Sequence, residues 1–180
     1  MARITDAVDR FDHRVDQQIE RLRGNAFTDR LFYVASFLGD HGLIWIALSL
    51  MRYFTNVGGP DAAHFAGIRA LCAELGQSIL VNLGIKSLFR RQRPVPQAPR
   101  PFHLRVPRTT SFPSGHATAS FTAAVLLSQG TPWGPALFVL ASIVAFSRAY
   151  VKIHHASDVV GGVVIGLALG LAVIGFFPLP

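Results

Sequence analysis

From Val159 to Phe177 the chain carries no charged residue. At ~1.5 Å of rise per residue, an uncharged helix of that length is about what a ~30 Å hydrocarbon layer requires. Backbone groups in lipid must pair with one another, so the run predicts a membrane-spanning helix. Gly162, Gly166 and Gly170 recur at every fourth position along it, which predicts a face on which a second helix packs closely. Composition agrees: 51% of the 180 residues are hydrophobic and 15% are charged, the membrane side of soluble averages, with length for one domain. The expected fold is all-α, an integral membrane bundle of about five embedded helices. Residues 1–30 form an amphipathic N-terminal segment and residues 31–180 the embedded domain.

Ile4, Val8, Phe11, Val15, Ile19 and Leu22 recur at spacings of four and three, the pattern of a helix lying on a membrane surface or on the bundle. Leu31 to Phe54 is apolar except around Gly39-Asp40-His41, predicting a short first segment and then a helix capped by Asp40. Ala62 to Phe89 is moderately apolar, and its polar stripe Glu74, Ser78, Asn82 and Lys86 should face the bundle, since polar groups facing lipid are costly. Arg90 to Phe112, rich in proline and arginine, is the one long loop. Ser114 to Gln129 and Leu137 to Tyr150 read as helices around a tight turn at Gly130 to Pro135. Cys72 is the only cysteine, which excludes an internal disulfide and a cysteine-based metal site. The N-terminus is too charged for the apolar core of a signal peptide. The net charge of +7 comes without a groove-reading motif, so nucleic acid is not an expected partner.

Three polar strings interrupt this apolar chain: KSLFRRQRP (Lys86 to Pro94), PSGH (Pro113 to His116) and SRAYVKIHHASD (Ser147 to Asp158). Counting one crossing for each apolar stretch brings all three to one membrane face. Together they hold what phosphoryl transfer needs: cations for the non-bridging oxygens, a helix start with free N–H groups, and histidines. His154 and Asp158 are four residues apart, so on a helix the carboxylate could hold one imidazole nitrogen while the other attacks phosphorus. His155, three residues from Asp158, fits the spacing as well, and a surface ion pair at a helix start fits it too. In PSGH, Ser114 is a natural N-cap, Gly115 lets an anion approach the backbone, and His116 can pass a proton to a leaving oxygen. Lys86, Arg93 and Arg148 supply positive charge. Arg148 ends an apolar helix, where its guanidinium needs an anion or a carboxylate beside it. Arg90, Arg91, Arg93, Arg100, Arg105 and Arg108 read mostly as a basic loop in contact with water or headgroups.

The pattern K-x6-R-P, PSGH, S-R-x5-H-x3-D resembles the three-part signature of the type 2 phosphatidic acid phosphatase (PAP2) family. These are membrane lipid phosphatases that share a site with vanadium haloperoxidases and soluble class A acid phosphatases. Every signature position is present: Lys86, Arg93, Pro94, Pro113, Ser114, Gly115, His116, Ser147, Arg148, His154 and Asp158. The resemblance implies His154 as nucleophile in a phosphohistidine mechanism, Asp158 as its orienting partner and His116 as acid and then base. It implies Lys86, Arg93, Ser114, Gly115 and Arg148 as the phosphate cradle, with no metal and no cofactor. The expected substrate is a lipid phosphate, either a polyprenyl phosphate or diphosphate or a phosphatidic-acid type, held in a bilayer. An inactive lipid-binding relative and a vanadate-dependent peroxidase are the alternatives. The family places its site on the outer face, whereas all but Arg52 and Arg69 of the 17 Lys and Arg fall on the site's side, which the positive-inside rule would make cytoplasmic. The outward face is the expectation taken.

Overall fold

The structure, a computed structural model, describes residues 2–94 and 109–180. The described residues are helical without a strand, in the order α1 (Ala2–Glu20), α2 (Ala26–Leu38), α3 (Leu43–Phe54), α4 (Pro60–Ile79), a π-helical stretch (Leu80–Ile85), the single turn α5 (Lys86–Leu88), α6 (Gly115–Ser128), α7 (Gly134–Tyr150) and α8 (Ala156–Phe176). The all-α expectation holds.

The polar break at Gly39-Asp40-His41 is a real bend: α2 and α3 meet at 66° across the 3-10 turn Asp40–Gly42. Asp40 does not cap α3, as the sequence suggested. Gly42 occupies the position before Leu43, at φ 68 in the left-handed region that suits glycine. The Asp40 carboxylate instead points across the bundle to His116. α2 starts at Ala26, upstream of the apolar stretch, because Asn25 caps it through its side-chain oxygen on the amides of Phe27 and Thr28.

α8 and the run Pro60–Leu88, with mean hydropathies of 2.5 and 1.2, are long and apolar enough to cross a bilayer, and the bent pair α2–α3 makes a third such span. α7, 17 residues long, is apolar but shorter, and α6 has only 14 residues. The expected five embedded helices therefore divide into up to three of spanning length and two shorter ones. α6 can be short because protein surrounds it: Ala117, Ala123, Ala124, Leu126 and Leu127 are buried against α3, α4, α7 and α8.

The glycine stripe of α8 does what its spacing implied. A Cβ on Gly162 would lie 2.6 Å from the Ser114 carbonyl, one on Gly166 2.5 Å from that of Thr118, and one on Gly170 2.7 Å from the Val125 Cβ. Any larger residue pushes α6 and α8 apart. Since α6 carries His116 at its start and α8 carries Asp158, this contact sets the distance between two of the three strings.

α1 packs on α7 and α8, burying Ile19 with Tyr33, Tyr150 and Ile153. Hydrophobic periodicity missed its other inward residue, Asp12, which is 7% exposed while Phe11 is 44% exposed. At the end of the bundle where α3, α6 and α8 finish, Arg52 donates to the Val57 carbonyl at 2.9 Å. Arg69 donates to the carbonyls of Phe177 at 2.7 Å and Leu126 at 3.5 Å, and to the Gln129 side chain. Both arginines are buried; Arg69 pairs carbonyls that the ends of α6 and α8 leave unpaired, and Arg52 one in the α3–α4 loop.

Candidate active site

All three strings meet at the other end, as the count of crossings implied. A cavity of about 550 Å³ is lined by Lys86, Arg93 and Thr109, by Gly115 and His116 at the start of α6, by His154 before α8, and by Gly39 and Asp40 of the bend. Its far wall is α4, which contributes Glu74, Gln77 and Ser78 beside Leu71 and Leu75, continued by Asn82 of the π-helical stretch. The π-helical stretch lies between this wall and Lys86, an insertion often found at functional sites. It leaves Lys86 buried while its neighbours Leu83 and Leu88 are 75% and 78% exposed.

His154 precedes α8 and is not on the helix, so the spacing to Asp158 works across the N-cap His155. The His154 backbone amide is held at 3.1 Å from the Arg148 carbonyl, and its ring is 3% exposed. Arg93 donates from Nη1 to His154 Nε2 at 3.1 Å. Because a guanidinium only donates, Nε2 is the acceptor and the ring proton sits on Nδ1. Nδ1 faces Asp158 Oδ2 at 3.7 Å, beyond hydrogen-bond length. Burial, with the fields of Arg93 and Arg148, pushes the imidazole down to about 3 against the pull of Asp158. It is therefore neutral, with a lone pair at Nε2. His155 turns away: it caps α8 and its Nε2 lies 3.3 Å from the Gln92 carbonyl.

Asp158 is fully buried and held on both oxygens. Arg91 Nη1 donates to Oδ1 at 2.7 Å; the Ser111 hydroxyl and the His155 amide, the latter at 2.9 Å, donate to Oδ2. His116 Nε2 lies 2.9 Å from Asp40 Oδ1, so Nε2 carries the proton toward the carboxylate and Nδ1 is left for exchange. Asp40 Oδ1 also stands 3.6 Å from Arg148, which is the carboxylate Arg148 was expected to need. Arg148 further donates to the Ser36 hydroxyl and, at 3.3 Å, to the Ser36 carbonyl.

Ser114 caps α6, accepting from the Ala117 amide at 3.4 Å, and the direction a Cβ would take on Gly115 leads to the Lys86 ammonium. Lys86 donates to Thr109 Oγ1 at 3.3 Å. Arg93 donates to the carbonyls of Thr109, Ile153 and Thr110 at 3.0, 2.9 and 3.2 Å. Burial lowers the Arg93 guanidinium, partly offset by Asp158.

The sequence reading missed Asp40 as a partner of His116, together with Ser36, Ser111, Asp12 and Arg91. The sequence pattern puts Arg91 in the basic, headgroup-facing loop, whereas it pairs with Asp158 and Asp12. Arg100, Arg105 and Arg108 lie outside the described residues. Among the described residues no cluster of three or more His, Cys, Asp or Glu could hold a metal ion.

The PAP2 superfamily profile matches residues 67–179. A decaprenylphosphoryl-5-phosphoribose phosphatase of Mycobacterium tuberculosis H37Rv is 33% identical over 138 residues, covering 77% of this chain and 74% of that protein. A putative undecaprenyl-diphosphatase of Escherichia coli K12, YbjG, is 35% identical over 95 residues, 52% of this chain and 48% of that one. The crystal structure of a transmembrane PAP2-type phosphatidylglycerolphosphate phosphatase from Bacillus subtilis superposes with a TM-score of 0.70 at 26% identity, covering 94% of this chain and 86% of that one.

Proposed function

The chain belongs to the PAP2 superfamily, and from that premise we propose how its membrane lipid phosphatase activity works and on which face. One observation carries the mechanism: Lys86, Arg93, Gly115, His116 and His154 line a single cavity of about 550 Å³. A phosphate entering it takes hydrogen bonds from Lys86, Arg93, Arg148 and the Gly115 amide, and in drawing off the Arg93 N–H it frees the His154 Nε2 lone pair. Nε2 attacks phosphorus and the bond to the leaving oxygen breaks. His116, doubly protonated when the substrate is bound, gives its Nδ1 proton to that oxygen while Nε2–H stays on Asp40, leaving a phosphohistidine. Asp158 stabilises the positive charge that forms on the His154 ring. A water then attacks the phosphohistidine while His116 takes its proton, which releases phosphate and restores both histidines.

The wall of the cavity beside His116 supports a hydroxylated leaving group. Glu74 and Gln77 are buried and each keeps one side-chain oxygen without a partner among the described residues; hydroxyl donors would fill these, whereas a bare hydrocarbon leaves them unpaired at a cost of about 1–3 kcal/mol for each such group. Leu71, Leu75 and Ile46 supply apolar contact for a lipid chain. A polyprenyl-linked sugar phosphate, of the kind named in the Mycobacterium tuberculosis relative, fits this mixture better than a plain polyprenyl diphosphate.

The site faces outward at the membrane interface, and residues 31–180 form the phosphatase domain to which residues 1–30 add a surface helix. Purified protein given polyprenyl phosphosugar, polyprenyl diphosphate, phosphatidic acid and phosphatidylglycerol phosphate is expected to be fastest on the sugar phosphate. Equal rates on all four would refute the wall as a specificity element. His154→Ala is expected to lose hydrolysis by at least about four orders of magnitude, as removing a nucleophile does; full activity would end the assignment. Thr109→Cys in a Cys72→Ser background should react with an impermeant thiol reagent in whole cells, and silence there would place the site on the inner face.

A further inference from the structure

We infer that Asp12 and Arg91 are positioning residues that clamp the amphipathic helix α1 onto the first turn of α8 and so fix Asp158 behind His154. The inference rests on the phosphatase reading above and goes beyond it, since neither residue falls on a signature position or touches the phosphate cavity.

Asp12 is the observation that starts it. On α1 the acids on either side are open, with the side chains of Asp9 and Asp16 75% and 49% exposed, whereas Asp12 is 7% exposed. A buried carboxylate survives only when its acceptors are filled. Here they are: the Ser157 amide donates to Oδ1 at 2.7 Å, the Ser157 hydroxyl to Oδ2 at 2.7 Å, and Arg91 Nη2 to Oδ2. Ser157 is the second residue of α8, so its amide is one that the helix cannot satisfy itself. A carboxylate from a distant helix takes that place and puts negative charge at a helix start, where it is favourable.

Arg91 joins this anchor to the catalytic carboxylate. One arm of its guanidinium pairs with Asp12, and the other reaches Asp158 Oδ1 at 2.7 Å. Burial works against the charge, yet its bonds to Asp12 and the field and hydrogen bond of Asp158 hold the guanidinium above its ordinary value. A planar fork spanning two carboxylates has one geometry, which lysine cannot copy. Among the described residues, Arg91 supplies the hydrogen bond on Oδ1, while Ser111 and the His155 amide hold Oδ2. Loss of the Arg91 bond frees the carboxylate to turn. With Oδ2 already 3.7 Å from His154 Nδ1, a further shift removes the partner of the cation that forms on attack. Arg91 and Asp12 lie on the other side of His154 from the cradle, in a separate cavity of about 340 Å³ shared with His13, Lys152 and His155. They act through Asp158.

Asp12→Asn and Arg91→Lys in the purified full chain provide the test, with Asp6→Asn, an exposed acid of the same helix, as control. The phosphohistidine is trapped by rapid quench into base, which separates the number of working sites from the rate at each one. The expected result is a rate of phosphohistidine formation per site reduced at least tenfold in both variants, with KM within about threefold of wild type and Asp6→Asn within twofold. A rate per site within twofold of wild type in both variants overturns the inference, as does a fall in the number of sites at unchanged rate, which would make the clamp structural only. Failure of the wild type to hydrolyse any lipid phosphate would overturn the phosphatase reading instead. Orthovanadate affinity of the same proteins then tests the clamp alone: at least fivefold weaker binding in both variants supports it, and equal binding overturns it.

Discussion

At one end of the bundle α6 and α8 begin, and at the other α3, α6 and α8 finish; both ends hold buried arginines. Where the helices finish, Arg52 and Arg69 give their N–H groups to the carbonyls of Val57, Phe177 and Leu126. Arg69 there meets the negative ends of the α6 and α8 dipoles, which is stabilising. Where the helices begin, Lys86, Arg93 and Arg148 gather around the start of α6. Cations and positive helix ends then reinforce one another, and an arriving anion satisfies both. The residue type is the same at the two ends. What the cations meet differs: chain carbonyls at one end, and at the other the start of α6, which we propose as the anion site.

Arg148→Ala tests the first half of this contrast and carries the largest expected effect. It should cost at least about a thousandfold in kcat/KM, in line with the loss of a donor to developing charge, and a loss under tenfold would break the contrast. Asp40→Asn comes next. It keeps the shape but loses the charge that orients His116, so kcat measured on the lipid phosphate should fall about 10- to 100-fold, up to the lower end of the ~100- to 10,000-fold that acid–base catalysis supplies. At the opposite end Arg69→Met should leave the rate per folded molecule within threefold. It should lower stability in detergent by about 2–4 kcal/mol for the hydrogen bonds lost from a buried cation. A large loss of kcat without loss of stability would show that the two ends are not separate.

The smallest expected effect concerns pH. With His154 pushed down to about 3, the free enzyme keeps its nucleophile neutral from pH 8 to pH 5. An acid limb in kcat/KM near 6.5, beyond the substrate's own ionisation, would contradict the buried, cation-flanked setting. The linkage has a definite sign. The unfolded chain binds this proton at about 6.5 and the folded one only near 3, so His154 withdraws stability as pH falls below 6.5, and none of that loss is present above it.

Much of the candidate site was legible because the three strings space their polar residues toward one end of the bundle: Lys86, Arg93, Gly115, His116 and His154 line one cavity. The helix packing was legible as well, since the Gly162, Gly166 and Gly170 stripe records a close approach that no side chain allows. The supporting residues were not. Asp40 looked like a cap because aspartate before an apolar run usually is one, and only the 66° bend turns it toward His116. Asp12 sits on a helix whose pattern assigns charged positions to water, and its partner Ser157 is 145 positions away in sequence.

The sequence alone determined that this chain is a helical membrane protein whose three polar strings come together, because apolar length and the spacing of polar residues are local properties. The tertiary structure decided which carboxylates stand behind the two histidines, through Asp40 on His116 and the Asp12–Arg91 pair on Asp158. Those contacts join distant segments, and a buried charge is tolerated only where another part of the chain arrives to meet it.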